Sequence, residues 1–137
     1  MRILAIDYGQ KRIGLAVSDP LGFTAQGIET LLNRGAKQVI GDLNKVCQEN
    51  SVAEIVIGLP VNMNGSMGPK AEEILKVVSL LEKETGLPVK TWDERLTSRE
   101  AGRLMIEEGL SRQRQKLNSD RLAASLILQS YLESRRK

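Results

Sequence analysis

Residues 2–18 of this chain read RILAIDYGQKRIGLAVS, two short apolar runs that are joined by a turn containing glycine. The first run, residues 2–6, ends at Asp7 and is typical of a buried strand, and residues 8–11 predict a turn. Residues 12–18 then predict the returning strand of a hairpin. Because Asp7 ends a strand just before a turn, we expect its carboxylate at an edge of the sheet, where ligand sites tend to lie.

The rest of the chain alternates between strand and helix patterns. An antiparallel meander that leads into β-α-β crossovers predicts an α/β fold, a mixed five-stranded sheet with helices on both faces. We expect residues 1–137 to form one domain, because no repeat, long linker or low-complexity segment divides them. The further predicted strands are 24–31, 54–59 and 89–92, and the further predicted helices begin near Gly35, Pro69, Ser98 and Ser119.

The composition excludes several kinds of chemistry. The chain has no histidine and one cysteine, Cys47, so it lacks the residues for an imidazole triad or a structural zinc cluster. Hydrolytic chemistry would have to use carboxylates, hydroxyls, lysine or a hard divalent ion, for which Mg²⁺ or Mn²⁺ is the best match. No apolar run is long enough for a membrane span, and the single cysteine favours a cytoplasmic protein.

Positive charge is concentrated towards the C-terminus. Residues 88–137 hold eleven Lys and Arg against seven Asp and Glu, whereas residues 1–87 hold nine against ten. Such a region suits a polyanionic partner, because phosphate contacts supply most sequence-independent affinity for nucleic acids. A solvated surface explains the charge equally simply, and charge alone favours that alternative. The polar, basic residues 111–116 (SRQRQK) predict a loop.

Acidic residues fall at three of these predicted boundaries. They are Asp7 after the first strand, the adjacent Asp93 and Glu94 after the last strand, and Asp120 in the first turn of the final helix. Three such carboxylates could bind two divalent ions for phosphodiester cleavage. Each also has a structural alternative, because an acid can open a turn, cap a helix or interact with the helix dipole.

The segment 62–68 (NMNGSMG) precedes a predicted helix, whose N-terminus offers backbone N–H groups to anions. It lacks the P-loop pattern, so it predicts no nucleotide site. A loop that touches a nucleic-acid backbone and a simple connection both remain open. Aromatic residues make up 3% of the chain, which argues against a stacking platform for single strands.

Four blocks in register resemble the YqgF family, whose members are described as pre-16S ribosomal RNA nucleases and as Holliday junction resolvase-like proteins. The resemblance covers nearly the whole chain. The blocks are ILAIDYGQKRIGLAVSD (3–19), EIVIGLPVNMNGS (54–66), TWDERLTSREA (91–101) and LNSDRLAASLILQSYLE (117–133).

This resemblance implies a ribonuclease H-like fold and hydrolysis of structured RNA, in maturation of the 5′ end of 16S ribosomal RNA. It places the catalytic metal ligands for Mg²⁺ or Mn²⁺ on Asp7, on Glu94 or the adjacent Asp93, and on Asp120. Residues 59–62 hold no acid after the fourth strand, so Glu94 would have to serve from its neighbour. The residues expected to contact substrate phosphates are Lys11, Arg12, Asn62, Arg95, Arg112, Arg114 and Lys116.

Two other functions remain open beside the RNA-processing nuclease. A Holliday junction resolvase would use the same acids on branched DNA, and a symmetric homodimer would be expected. A non-catalytic nucleic-acid-binding factor would keep the fold and would bind without metal. The sequence does not distinguish a monomer from a homodimer, nor action on free RNA from action on a ribosomal particle.

Overall fold

A computed structural model describes residues 1–94 and 112–135 of the chain, with the backbone alone described for residues 112–121. Of the helices in these ranges, none has the length and apolar character needed to span a bilayer. The elements in these ranges are β1 (Arg2–Tyr8), β2 (Arg12–Ser18), β3 (Ala25–Leu32), α1 (Ala36–Glu49), β4 (Val52–Leu59), α2 (Pro69–Thr85), β5 (Val89–Asp93) and α3 (Arg112–Arg135).

The five strands form one mixed sheet in the order β3-β2-β1-β4-β5. Neighbouring strands β1, β2 and β3 pair antiparallel, whereas β4 pairs parallel to β1 and to β5. Parallel pairing requires crossover connections, and α1 and α2 supply them. The predicted mixed five-stranded sheet is therefore confirmed. The carboxyl ends of β1, β4 and β5 meet at one edge of the sheet, where the sequence predicts catalytic acids, and we therefore call it the catalytic edge.

The two faces of the sheet are covered by different helices. Alternate residues of β1 show this division, because Leu4 and Ile6 belong to one buried cluster and Ile3 and Ala5 to another. The first cluster also contains residues of α1 and α2, and the second contains residues of α3. Helices on both faces, as predicted, thus bury apolar side chains on each side of the sheet.

Helix α3 differs from its prediction. It begins at Arg112, so residues 112–116 are helical and the predicted basic loop there is wrong. The polar run contains Arg, Gln and Lys, which are good helix formers, and no Gly or Pro that would interrupt a helix. Its polarity was therefore a poor guide to its conformation. The helix predicted at 98–108 lies outside the described residues.

A polar cluster fixes the C-terminal part of α3 to the sheet. Glu54 on β4 is only 9% exposed, and its Oε2 accepts hydrogen bonds from the Tyr131 hydroxyl at 2.7 Å and from Arg135 Nη1 at 2.9 Å. The Tyr131 ring packs edge-on against Trp92 of β5, with the ring centroids 5.8 Å apart. Burial and the bond to Glu54 raise the pKa of Tyr131 to about 12. The phenol therefore stays a donor at neutral pH.

We expect Tyr131→Phe to lower the free energy of unfolding by about 1–2 kcal/mol, because the buried Glu54 loses one of its two donors. Urea denaturation of the variant and the wild type measures this loss. Glu133→Gln, an exposed change on the same helix, is the control and should leave the midpoint nearly unchanged. Equal stability of the two variants would contradict a structural role for this hydrogen bond.

Candidate active site

Asp7 lies near the carboxyl end of β1. The strand continues through Tyr8, and Asp7 pairs with Gly14 of β2, so Asp7 lies within the strand and not after it as predicted. Side chains alternate along a strand, and Ile3 and Ala5 face α3. The half-buried Asp7 therefore faces α3 as well, at the catalytic edge of the sheet.

Glu94 immediately follows β5 and folds back over β4. A Cβ atom placed on Gly58 of β4 would lie 2.7 Å from Glu94 Oε1 and 2.8 Å from Ile127 Cδ1 of α3. Gly58 pairs with Trp92, and Ile6 of β1 pairs with Ile57, so Asp7 lies beside Gly58 on the other flanking strand. The absence of a side chain at Gly58 thus leaves the space in which Glu94 reaches Asp7.

The two carboxyl groups interact directly. Burial is the main cause that raises the pKa of Glu94 to about 7, and the negative charge of Asp7 and a side-chain hydrogen bond to it also raise that pKa. The Lys70 ammonium near the start of α2 lowers the pKa of Glu94, and the negative charge of Asp93 raises it. Two carboxyl groups can share a hydrogen bond only if one of them holds a proton. Bringing the pair together thus requires a proton or another positive charge.

The donor set fits a hard divalent cation. Asp7 and Glu94 offer carboxylate oxygens, the ligands that Mg²⁺ and Mn²⁺ prefer, and a cation between them would replace the shared proton. Among the side chains that the structure describes, no three acidic, cysteine or histidine residues are close enough to form a metal site. Asp93 pairs with Leu59, whose side chain faces α1 and α2, so alternation directs Asp93 to the opposite face from Glu94.

The course of α3 shows where the backbone of Asp120 lies. Ile127 packs against Gly58, whereas Tyr131 and Arg135 contact Glu54 four residues earlier on β4. The helix therefore runs antiparallel to β4, and its earlier turns lead towards the catalytic edge. Asp120 precedes Ile127 by seven residues, which is about two turns and about 10 Å, so both positions share one side of the helix.

The backbone also removes one structural explanation for Asp120. Because α3 begins at Arg112, Asp120 is not in the first turn as predicted, and the favourable interaction of an acid with a helix N-terminus does not apply to it.

A tight turn at residues 9–12 follows Asp7 along the chain. The Gly9 N–H donates to the Arg12 carbonyl at 3.1 Å, and a Cβ on Gly9 would lie 2.4 Å from that oxygen, so only glycine fits there. Asn33, just after β3, fixes this turn from outside. Its Nδ2 donates to the Gly9 carbonyl at 2.8 Å, and its backbone N–H donates to the Lys11 carbonyl at 2.9 Å.

The predicted phosphate-binding residues fall into three groups. Lys11 and Arg12 are exposed on the turn that Asn33 holds, next to Asp7. Asn62 is exposed in the loop after β4, where its Nδ2 donates to Ser66 Oγ at 3.1 Å. Arg95 lies outside the described residues, and the backbones of Arg112, Arg114 and Lys116 lie in the first turns of α3, with their side chains not described.

Two residues of this site were missed from the sequence. Gly58 had a usable signal, because a glycine inside a continuously apolar strand often marks a close approach of another group. Asn33 had none, because it lies 24 residues from the turn that it holds and only the β1-β2-β3 meander brings them together.

Named proteins are similar to this chain over nearly its whole length. A protein of Clostridium novyi named "Putative pre-16S rRNA nuclease" is 49% identical over 134 residues, which cover 98% of this chain and 99% of the relative. A protein of Syntrophomonas wolfei with the same name is 50% identical over 133 residues, covering 97% of this chain and 94% of the relative. The resemblance to pre-16S rRNA nucleases is thus confirmed over nearly the whole chain.

Solved resolvase structures share the fold. Thermus thermophilus RuvC, in complex with a Holliday junction substrate, superimposes with a TM-score of 0.59 at 14% identity, covering 99% of this chain and 96% of that one. The fowlpox virus resolvase with its Holliday junction DNA gives 0.60 at 16% identity and covers all of both chains. The predicted ribonuclease H-like fold is confirmed. A family model described as "RuvX: Holliday junction resolvase" matches residues 1–134, and the chain therefore belongs to the RuvX family.

Proposed function

We propose that this chain is a metal-dependent endonuclease that hydrolyses phosphodiester bonds in precursor 16S ribosomal RNA, during maturation of its 5′ end. The observation that carries the proposal is the hydrogen-bonded carboxyl pair of Asp7 and Glu94 at the catalytic edge. The names of relatives at 49% and 50% identity support RNA as the substrate. The family and the fold support nuclease chemistry.

In this proposal Asp7, Glu94 and Asp120 hold Mg²⁺ or Mn²⁺. A bound divalent ion supplies activation of the attacking water and stabilisation of the leaving oxygen, chemistry that needs no histidine. The protein fixes the positions of the carboxylates. Asp7 is held by strand pairing, Glu94 lies against Gly58, and the half-buried setting limits competing water around both.

Substrate binding in this proposal uses cations beside the acids. Lys11 and Arg12 project from a turn that is fixed at two carbonyl groups by Asn33, so they are well placed to contact phosphates next to the scissile one. The Asn62 side chain, in the loop after β4, would donate a hydrogen bond to the same substrate backbone. Arg95, Arg112, Arg114 and Lys116 are proposed as further phosphate contacts.

Holliday junction resolution is the second candidate function, favoured by the family description and by the fold shared with two resolvases. It would use the same acids and differ in the shape of the substrate, with two copies acting on two strands. A non-catalytic binding factor is the third candidate. Binding through Lys and Arg would survive both chelation and loss of Asp7, which distinguishes this candidate from the two enzymes.

We expect the wild-type protein to cleave precursor 16S RNA with Mg²⁺ or Mn²⁺ and to leave a four-way DNA junction intact. Loss of a residue that only hydrogen-bonds to a metal ligand costs roughly 10- to 100-fold in activity. Asp7→Asn removes a direct ligand, so it should reduce cleavage by more than that. Both substrates are assayed in parallel, with and without chelator, together with RNA binding. Asp42→Asn on α1, on the opposite face of the sheet, is the control with the same charge change and should stay active.

The outcomes separate the three candidates. Cleavage of the junction alone would replace the RNA-processing proposal with a resolvase. Full RNA cleavage by Asp7→Asn, or by the wild type in chelator, would contradict the metal site. Binding of both substrates without cleavage of either would favour the non-catalytic factor.

The turn beside Asp7 generates a separate prediction about salt. Lys11→Gln with Arg12→Gln should weaken RNA binding and reduce the slope of log K against log salt by about 0.7–0.9 for each phosphate that the variant no longer neutralises. Lys37→Gln with Lys83→Gln, exposed on α1 and α2, removes the same charge away from the acids. Filter binding at several salt concentrations measures both slopes. An equal change in the two double variants would mean that only net charge matters.

A further inference from the structure

Met63 is the most exposed large apolar side chain among the described residues. It is 95% exposed and lies in the loop Asn62–Gly68, which connects β4 to α2 and which we call the β4–α2 loop. Isolated exposed apolar side chains are common on protein surfaces and alone need no explanation. The conformation and the position of this loop distinguish Met63 from the others.

The β4–α2 loop is held by its own hydrogen bonds. The Asn62 N–H donates to the Ser66 carbonyl at 2.9 Å, and the Gly65 N–H donates back to the Asn62 carbonyl at 2.8 Å. Gly65 has a φ of 86°, which glycine adopts without strain, and the Ser66 N–H donates to Asn64 Oδ1 at 3.0 Å. A bridge between Val61 and Met67 closes the base. Met63 therefore projects from a defined frame.

The loop also lies at the catalytic edge. It leaves β4 between β1, which carries Asp7, and β5, which leads to Glu94. At its other end begins α2, whose Lys70 is close enough to Glu94 to interact with it electrostatically. This edge therefore holds the acids, the turn with Lys11 and Arg12, and the loop with Met63, and a nucleic acid bound there can reach all three.

No aromatic side chain is available to take this place. The chain has four, and none is exposed at the catalytic edge. Tyr8 is buried, Trp92 of β5 and Tyr131 of α3 pack against each other, and Phe23 lies in the turn between β2 and β3, at the opposite end of the sheet. An apolar group that contacts a base at this edge must therefore be aliphatic or a thioether.

We propose that Met63 is a wedge that packs against a base next to the scissile phosphate and separates it from its stacked neighbour. The inference rests on the proposed nuclease function and narrows its substrate to structured RNA in which a paired base must be unstacked before cleavage. Methionine is among the apolar side chains that proteins insert between base steps. Sequence-specific RNA recognition commonly involves bases that are splayed out of a stack.

The test uses 2-aminopurine, whose fluorescence rises when it leaves a base stack. A hairpin RNA carries this base beside the cleavage position, and full-length Asp7→Asn protein binds it without cutting. Binding should raise the fluorescence severalfold, and adding Met63→Ala should remove most of that rise. Met63→Leu restores apolar volume and should keep it. Leu80→Ala, a 45% exposed apolar residue on α2, is the matched control and should also keep it.

Cleavage in the otherwise wild-type protein supplies a second readout. Met63→Ala should slow cleavage of a fully paired site by about tenfold, less than the full cost of unstacking one base step. It should not slow cleavage of a substrate whose base at that position is already unpaired. A retained fluorescence rise in Met63→Ala, or equal slowing on both substrates, would overturn the wedge. Fluorescence changes without any wild-type cleavage would contradict the nuclease function and leave the wedge supported.

Discussion

The contact between the carboxyl groups of Asp7 and Glu94 is the interaction on which the site depends. Two neighbouring negative charges repel each other, so the arrangement persists only with a shared proton or a cation between them. The fold nevertheless positions both acids firmly. Gly58 leaves room for Glu94, Ile127 of α3 packs against Gly58, and the pairing of β1 with its neighbours holds Asp7. A position that disfavours two negative charges is well suited to binding a divalent cation.

The sheet order makes this contact possible. Parallel pairing of β1, β4 and β5 brings their carboxyl ends to one edge, and ligand sites in α/β sheets favour that edge. Helix α3 runs antiparallel to β4, and the Glu54–Tyr131–Arg135 cluster fixes its far end. The turn that carries Lys11 and Arg12 and the β4–α2 loop flank the same edge. The proposed metal ligands, phosphate contacts and base contact can therefore all act on one segment of substrate.

Much of the fold could be predicted because its signals are local. The apolar runs that form β1, β2 and β4 and the periodic apolar positions of α1 and α2 gave strand and helix types correctly. The predicted start of α3 is wrong, because the polar residues 112–116 favour helix although their polarity is typical of a loop. Asp7 and Glu94 were identified as candidates, but their contact over Gly58 was not predicted. It depends on the order β1-β4-β5, in which residues far apart along the chain become neighbours. The hydrogen bonds from Asn33 to the turn at residues 9–12 likewise join residues that are far apart along the chain.

Calorimetric titration of Mn²⁺ into the metal-free protein at neutral pH tests the central claim most directly. It measures metal binding by the acids and needs no assumption about the substrate. The account predicts saturable binding that releases protons, since a cation replaces the proton shared by Asp7 and Glu94. It predicts that Glu94→Gln weakens this binding at least tenfold, whereas Glu29→Gln, an exposed change on β3, leaves it unchanged. No binding to the wild type at millimolar Mn²⁺, or equal affinity in Glu94→Gln, would contradict the account.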